Sequence, residues 1–324
     1  MTSNLKQRLL AQADDKQHLS FADFMHIVLY DPDHGYYRAE RQRVGRSSDT
    51  DFYTAQSLGP VFQRLLLNAV NTLIEGDLSR YTWVEIGREP GNPWWLEGQH
   101  PFGALKSIGA GDPVKITGPS IVFSNELFDA QAFHRLVYHQ GAWRELGVDL
   151  NGDAPTEVIL PRLSDELAPA LQRLPKDHTE GYVLDLPLRA EQLLHRICTE
   201  PWQGLFIAFD YGRSWDQLLF EYPHGTARAY HRHEQSNDLL ALPGQQDLTC
   251  HINWDGLNEV LKSHGFSEPQ LENQEAFFMH HAQQAIGDII TAKAGQFDPA
   301  RQTLMHLLHP GNMGLKFQVL SARR

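Results

Sequence analysis

The chain has two cysteines, Cys198 and Cys250, far apart in 324 residues. That scarcity excludes a disulfide framework, fits no thiolate metal spacing, and makes a reducing cytoplasm the expected setting. Long apolar runs are also missing, and none approaches the length of a membrane span. Residues 1–19 lack the apolar centre of a secretory signal, and Asp14 and Asp15 argue against an organelle transit peptide. Positive charge is scarce too: 28 Lys and Arg stand against 40 Asp and Glu, a formal charge of −12 at pH 7 with His neutral. A nucleic-acid backbone is therefore not an expected partner. The excess acid leaves two options, a basic partner or plain solvated surface. No Gly-x-Ser-x-Gly elbow is present, because Gly212-Arg213-Ser214 runs on into Trp215-Asp216, and no Walker-type phosphate loop exists. There is no internal repeat or low-complexity tract. His231, His233 and His251 could share a strand face, but 17 histidines make such coincidences common, and no metal is assigned.

What is there is an ordinary globular composition, 41% hydrophobic and 21% charged, long enough for one large domain or two small ones. The most informative stretch is Ser120-Ile121-Val122-Phe123-Ser124-Asn125-Glu126-Leu127-Phe128-Asp129-Ala130. A short apolar run reads as a buried parallel strand, and open α/β sheets place their chemistry at the carboxyl ends of such strands. Asn125 and Glu126 stand at that end, with Asp129 shortly after. A second reading is open: Ser124 or Asn125 caps a helix whose first turn carries Glu126 and Asp129.

Other segments repeat the strand-then-acid pattern. Trp83-Val84-Glu85-Ile86-Gly87 is a strand closing on glycine, and residues 204–212 run Gly-Leu-Phe-Ile-Ala-Phe-Asp-Tyr-Gly, an apolar strand ending at Asp210. Before them, residues 4–13 suit a short helix, and Ser20 caps a second in which Phe21, Phe24, Met25, Val28 and Leu29 form one stripe ended by Asp31-Pro32. Pro60 opens another helix. Residues 135–139 and 143–148 read as a hairpin turning at Gln140-Gly141, and 157–160 add a strand. Leu167, Leu171 and Leu174 mark a helix, and residues 186–197 another. In 245–254, Gln245, Asp247, Thr249, His251 and Asn253 alternate with Gln246, Leu248, Cys250, Ile252 and Trp254, so one strand face is wholly polar. Such a face meets solvent or lines a polar cleft. Residues 257–265 form a helix ended by glycine, helix continues from about 274 to 308, and Met313-Gly314-Leu315-Lys316-Phe317 reads as the closing strand.

Several of these segments resemble one family, the S-adenosylmethionine (SAM)-dependent methyltransferases that include MidA and the mitochondrial complex I assembly methyltransferases. Residues 20–37 resemble its Ser-Phe-x-x-Phe-Met and Leu-Tyr-x-Pro-x-x-Gly-Tyr-Tyr motifs. Asp51-Phe52-Tyr53-Thr54-Ala55 resembles Gly-Asp-Phe-x-Thr-Ala, with Thr50 in place of the glycine. Residues 125–130 resemble Asn-Glu-x-x-Asp-Ala; Asp210-Tyr211-Gly212 matches Asp-Tyr-Gly; residues 225–230 match Gly-Thr-x-Arg-Ala-Tyr. Residues 243–251 resemble Pro-Gly-x-x-Asp-hydrophobic-Thr-x-His, which turns the expectation for 245–254 towards the cleft.

The glycine-rich cofactor turn departs from the pattern. It reads Gly87-Arg88-Glu89-Pro90-Gly91, with Glu89 at the middle glycine. Only residues 92–123 separate Gly91 from Ser124, where the family has two strands and two helices. Residues 104–108 are the expected surviving strand, with no acid closing it; Asp112 is the nearest substitute, although it reads first as a surface-turn aspartate.

The resemblance implies an α/β, class I methyltransferase-like fold with a mainly parallel sheet, helices on both faces, and an amino-terminal helical cap. We expect the cap and a loop over 1–56, and the α/β domain over 57–324 with insertions at about 134–200 and 270–310. It implies SAM as cofactor, bound through Glu85, Gly87, Gly91, Asp51, Thr54 and Asn125, and methyl transfer to a protein acceptor, arginine in the family. Glu126 is the first catalytic candidate, with Asn125, Asp129 and Asp247 beside it, and Asn125, Glu126, Asp210 and Asp247 are expected to meet in one cleft. The alternative implied by the damaged turn is a decayed enzyme that now binds a partner or assists assembly.

Overall fold

The computed structural model describes residues 2–38, 59–88, 95, 100–292 and 298–324. Its centre is a six-stranded sheet. In chain order the strands are β1 (Thr82–Ile86), β2 (Ala104–Ile108), β3 (Gly118–Asn125), β4 (Trp202–Asp210), β5 (Ser267–Asn273) and β6 (Gln318–Arg323). In space the order is β5-β6-β4-β3-β1-β2. β2, β1, β3 and β4 run parallel, and β6 inserts antiparallel between β4 and β5. The chain leaves β1 outwards to β2 and returns across it to β3, so the order of connection reverses at β1. The register sets Ile86 beside both Ile108 and Ser124, and Asn125 beside Phe209. The carboxyl ends of four strands thus meet at one edge, where such sheets bind ligands.

Side-chain alternation divides the sheet residues between two cores. Trp83, Ile121, Phe123, Ile207 and Phe209 face the helices Pro60–Leu73, Gln274–His281, Gln283–Thr291 and Pro299–Leu308. Val84, Ile86, Val122, Phe206 and Ala208 face Leu188–Thr199 and Trp254–Ser263. Phe209 is fully buried between Phe62, Phe277 and Phe278, and truncating such a ring to alanine costs about 3–5 kcal/mol.

Two smaller sheets close over the carboxyl edge. Ser20 accepts from the Asp23 N–H at 3.0 Å and caps the helix Phe21–Tyr30, as its sequence predicts. The strand before it, His18–Ser20, pairs with Ala142–Asp149 in a five-stranded antiparallel sheet with His134–His139, Thr156–Ile159 and Val183–Leu186. Its hairpin turns at Gln140 and Gly141, both with positive φ, 53° and 75°. A three-stranded sheet joins Arg228–His231 to Glu234–Ser236 and Asp247–Thr249.

Three readings of the sequence need correction. The closing strand is Gln318–Arg323, one segment later than residues 313–317; Pro310–Gly314 is an irregular π-type turn with Asn312 outside helical φ/ψ, and a Cβ at Gly314 would stand 2.3 Å from the Leu308 carbonyl oxygen. The helix expected around Leu167, Leu171 and Leu174 is only a 3-10 turn, Asp165–Leu167, and one α turn, Ala168–Leu171; Pro169, which cannot donate, sits in it. β5 was not foreseen, because it is a largely exposed edge strand with no apolar alternation and is held by backbone bonds to β6.

Candidate active site

The site begins where β3 stops. Glu126 follows Asn125 with φ of +50°, a left-handed conformation uncommon for a residue with a Cβ. Its N–H donates to the Phe209 carbonyl at 2.9 Å, and its Oε1 accepts from Asn125 Nδ2 at 2.9 Å. No helix follows, so the capping alternative fails: residues 127–131 make turns. The donors a helix would have used are taken by Asp210. Its Oδ2 accepts from Phe128 N–H at 2.9 Å and Asp129 N–H at 3.4 Å, and its Oδ1 from Tyr211 N–H at 2.9 Å. Asp210 is fully buried and does not line the cleft, contrary to expectation; it holds up the turn that does.

Asn125, Glu126, Asp129 and Asp247 come together on one cleft of about 1350 Å³. Asp129 is 2% exposed, and its Oδ1 has no hydrogen-bond partner among the described residues. Burial pushes its carboxyl up, partly opposed by the Tyr211 hydroxyl. Burial, and then the nearby Asp129 charge, push Asp210 well above the usual carboxylate range. Two neighbouring buried carboxyls resist ionising together. Asp247 Oδ1 accepts from the Tyr37 hydroxyl at 2.7 Å and its own neighbour's N–H, Leu248, at 2.9 Å.

Tyrosines wall this half of the cleft. Tyr30 and Tyr37 stack with centroids 5.3 Å apart, Tyr30 donates to the Ala130 carbonyl at 2.8 Å, and Tyr211 and Tyr230 stand with them. Sequence reasoning did not name these residues as site candidates. The signal was present, since each ends or sits in a quoted motif, but an isolated tyrosine reads equally well as core, which Tyr36 is. The polar face of 245–254 does line the cleft through Asp247, Thr249 and His251. Asn253 turns away to Glu191 at 3.1 Å, and the strand breaks between Thr249 and Ile252.

The other half is built at the ends of β1 and β2. Ile86, Gly87 and Arg88, the Gly109–Gly111 turn, Val114 and Leu127 line it. Gly87 has φ of +81°, so its backbone favours glycine, and a Cβ there would sit 2.8 Å from Leu127 Cδ1 and push that side chain aside. Asp112 Oδ2 accepts from Gly109 N–H at 2.8 Å, holding the turn after β2 while lining the cleft. Glu85 is buried inside β1 on the Trp83 side of the residue pairs and does not line the cleft. Gly91, Asp51 and Thr54, with Glu89, lie outside the described residues. Among the described residues no group of His, Cys, Asp and Glu forms a metal site, and no helix is long and apolar enough to cross a membrane.

The model of a family described as S-adenosyl-L-methionine-dependent methyltransferases matches residues 103–270. The mitochondrial protein arginine methyltransferase NDUFAF7 of Rattus norvegicus is 26% identical over 209 residues, 62% of this chain and 45% of that protein. Its Drosophila melanogaster homolog is 24% identical over 217 residues, 63% of this chain and 47% of that protein. The chain therefore spans about half the length of the curated relatives it matches. A crystal structure of a Burkholderia thailandensis protein bound to S-adenosylhomocysteine superposes with a TM-score of 0.83 at 24% identity, over 99% of this chain and 92% of the other. A second, native structure from that organism gives 0.80 at 20% identity, over 99% and 91%. At these identities the superpositions speak for the fold.

Proposed function

The chain belongs to that family of SAM-dependent methyltransferases, and on this premise we propose that it transfers the SAM methyl group to a protein, at arginine, in the reducing cytoplasm. The observation that carries the reading is the strained Glu126 at the seam of the cleft, between a glycine-built half and an acid-and-tyrosine half. The residues present suit the cofactor. Gly87, Gly109 and Gly111 bring backbone to the cleft without side chains, and Ile86, Ile108, Val114 and Leu127 offer apolar surface for a nucleoside base. Asn125 Oδ1, buried and without a partner among the described residues, is an acceptor for an ammonium group at the seam. Asp112 is the group on hand for ribose hydroxyls.

When bound, SAM supplies a methyl group made electrophilic by its sulfonium. The protein's task is to hold an acceptor nitrogen in line with it. A guanidinium is planar and cationic, and a carboxylate holds it through two parallel hydrogen bonds. Glu126, oriented by Asn125 Nδ2, and Asp129, which lines the cleft with a buried Oδ1 that has no partner among the described residues, are the carboxylates available for this. Tyr30, Tyr37, Tyr211 and Tyr230 add ring faces that favour a cation and exclude water.

Radiolabelled SAM incubated with wild-type protein and a protein extract tests this reading through methylarginine in the hydrolysate. Glu126→Gln keeps size and removes charge, so turnover should fall at least about tenfold, the loss of one charged hydrogen bond, while SAM affinity changes little. Tight SAM binding with no labelled protein would instead favour a partner-binding role.

A further inference from the structure

The acceptor half of the cleft also carries positive charge, which a guanidinium acceptor alone does not explain. Arg213 follows β4 and lines the cleft. Its Nε donates to the Tyr222 hydroxyl and its Nη1 to the Gly212 carbonyl at 2.8 Å, and its guanidinium lies over the Tyr222 ring, 5.4 Å from the centroid. Arg228 is registered opposite Thr249, and Tyr230 opposite Asp247, so Arg228 stands on the strand face that Tyr230, Asp247 and Thr249 turn to the cleft. Its Nη1 donates to the Ala227 carbonyl at 2.6 Å. Neither arginine has a carboxylate within ion-pair distance among the described residues, although Asp129 and Asp247 stand in the same cleft.

His251 lies with them. Its ring is 6.0 Å from that of Tyr211 and 5.7 Å from that of Tyr222, and its Nδ1 is buried with no partner among the described residues. Arg213 and His251 both pack against the Tyr222 ring, and Arg228 is registered opposite Thr249, two residues before His251; burial, then the charges of Arg213 and Arg228, hold the imidazole's pKa down to about 4. Two guanidiniums without a carboxylate at ion-pair distance, on the same side of the cleft as a buried ring nitrogen without a partner, all among the described residues, make a receptor for a small anion. The neighbouring acids disfavour a dianion such as phosphate, whereas a single planar carboxylate matches one guanidinium fork.

We propose that Arg213, Arg228 and His251 form a subsite for a carboxylate carried by the acceptor beside its methyl-accepting cation. The proposal rests on the methyltransferase reading. The acceptor would be an arginine flanked by an acidic residue, its guanidinium towards Glu126 and Asp129 and its neighbour's carboxylate towards Arg213. The cleft would then select substrates by paired charges of opposite sign.

Calorimetric titration of the full chain, with and without S-adenosylhomocysteine, uses two terminally blocked tripeptides, Asp-Arg-Asp and Asn-Arg-Asn. The acidic peptide should bind at least tenfold more tightly. Arg213→Gln and Arg228→Gln should each remove most of that preference, with S-adenosylhomocysteine affinity within twofold of wild type and an unchanged melting temperature; Arg213→Lys should keep part of the preference. Equal binding of the two peptides, or none by either, overturns the proposal, as does a preference that survives both substitutions. A large loss of S-adenosylhomocysteine affinity in the variants overturns it as well, because the carboxylate recognised is then the cofactor's own. A wild-type chain that prefers the acidic peptide but binds no S-adenosylhomocysteine would sustain the subsite and remove the methyltransferase reading.

Discussion

His251 offers a quantitative test of the cleft's electrostatics. Its ring is largely withdrawn from water and two guanidiniums stand near it, so its pKa is held down to about 4 from an ordinary 6.5. Between those values the unfolded chain takes up a proton that the native chain refuses, and stability must rise with pH. At about 1.4 kcal/mol per pKa unit the interval is worth about 3 kcal/mol. That stability is fully present above pH 6.5 and is lost as pH falls through 4. His251→Gln removes the titrating group and leaves the backbone bond from N–H 251 to Thr226 Oγ1 in place. Urea denaturation of both proteins from pH 4 to 7.5 isolates it, since Asp129 and Asp210 titrate in both and largely cancel in the difference. Wild-type stability minus variant stability should grow by about 3 kcal/mol towards neutrality. Parallel curves would mean that His251 meets water freely and that Arg213 and Arg228 are not close to it.

Other substitutions probe the scaffold under the site. Asp210→Ala strands the buried N–H groups of Phe128 and Tyr211, at about 1–3 kcal/mol each, and urea melts should show a loss of about 2–6 kcal/mol. Asp210→Asn keeps an acceptor oxygen and should cost much less. Gly225→Ala forces a Cβ to within 2.4 Å of the buried Asp185 carboxylate at φ of +72°; the left-handed backbone alone costs about 1–2 kcal/mol, so the melting temperature should drop by several degrees or the protein should fail to fold. Gly87→Ala should weaken SAM binding in the same titration that leaves Asp112→Asn only mildly affected, because the new Cβ meets Leu127 in the cofactor half.

The parallel strands were legible because both of their faces are covered, which leaves a run of apolar residues ending where the sheet ends. Asp210 and Asn125 stand at those ends as expected, but their roles were not legible. The stretch after Asn125 reads equally well as a capped helix or as a turn. What decides it is Asp210, remote in sequence, which accepts the Phe128 and Asp129 N–H groups. Tertiary partners likewise decided the fate of 313–317, where Gly314 packs against the Leu308 carbonyl. β5 carries almost no side-chain signal, since its stability comes from the backbone ladder to β6. Arg213 has no pattern in the sequence, and Arg228 stands in a matched motif that does not say what it faces; only the fold puts them near His251 with no carboxylate at ion-pair distance among the described residues.

Calorimetric titration of the intact chain with SAM and S-adenosylhomocysteine tests the central claim most directly. The account predicts that both bind at one site per chain, and that ligand at a hundred times its dissociation constant adds about 2.7 kcal/mol to unfolding stability. Absence of binding heat and of any thermal shift at millimolar concentrations of either ligand would contradict it.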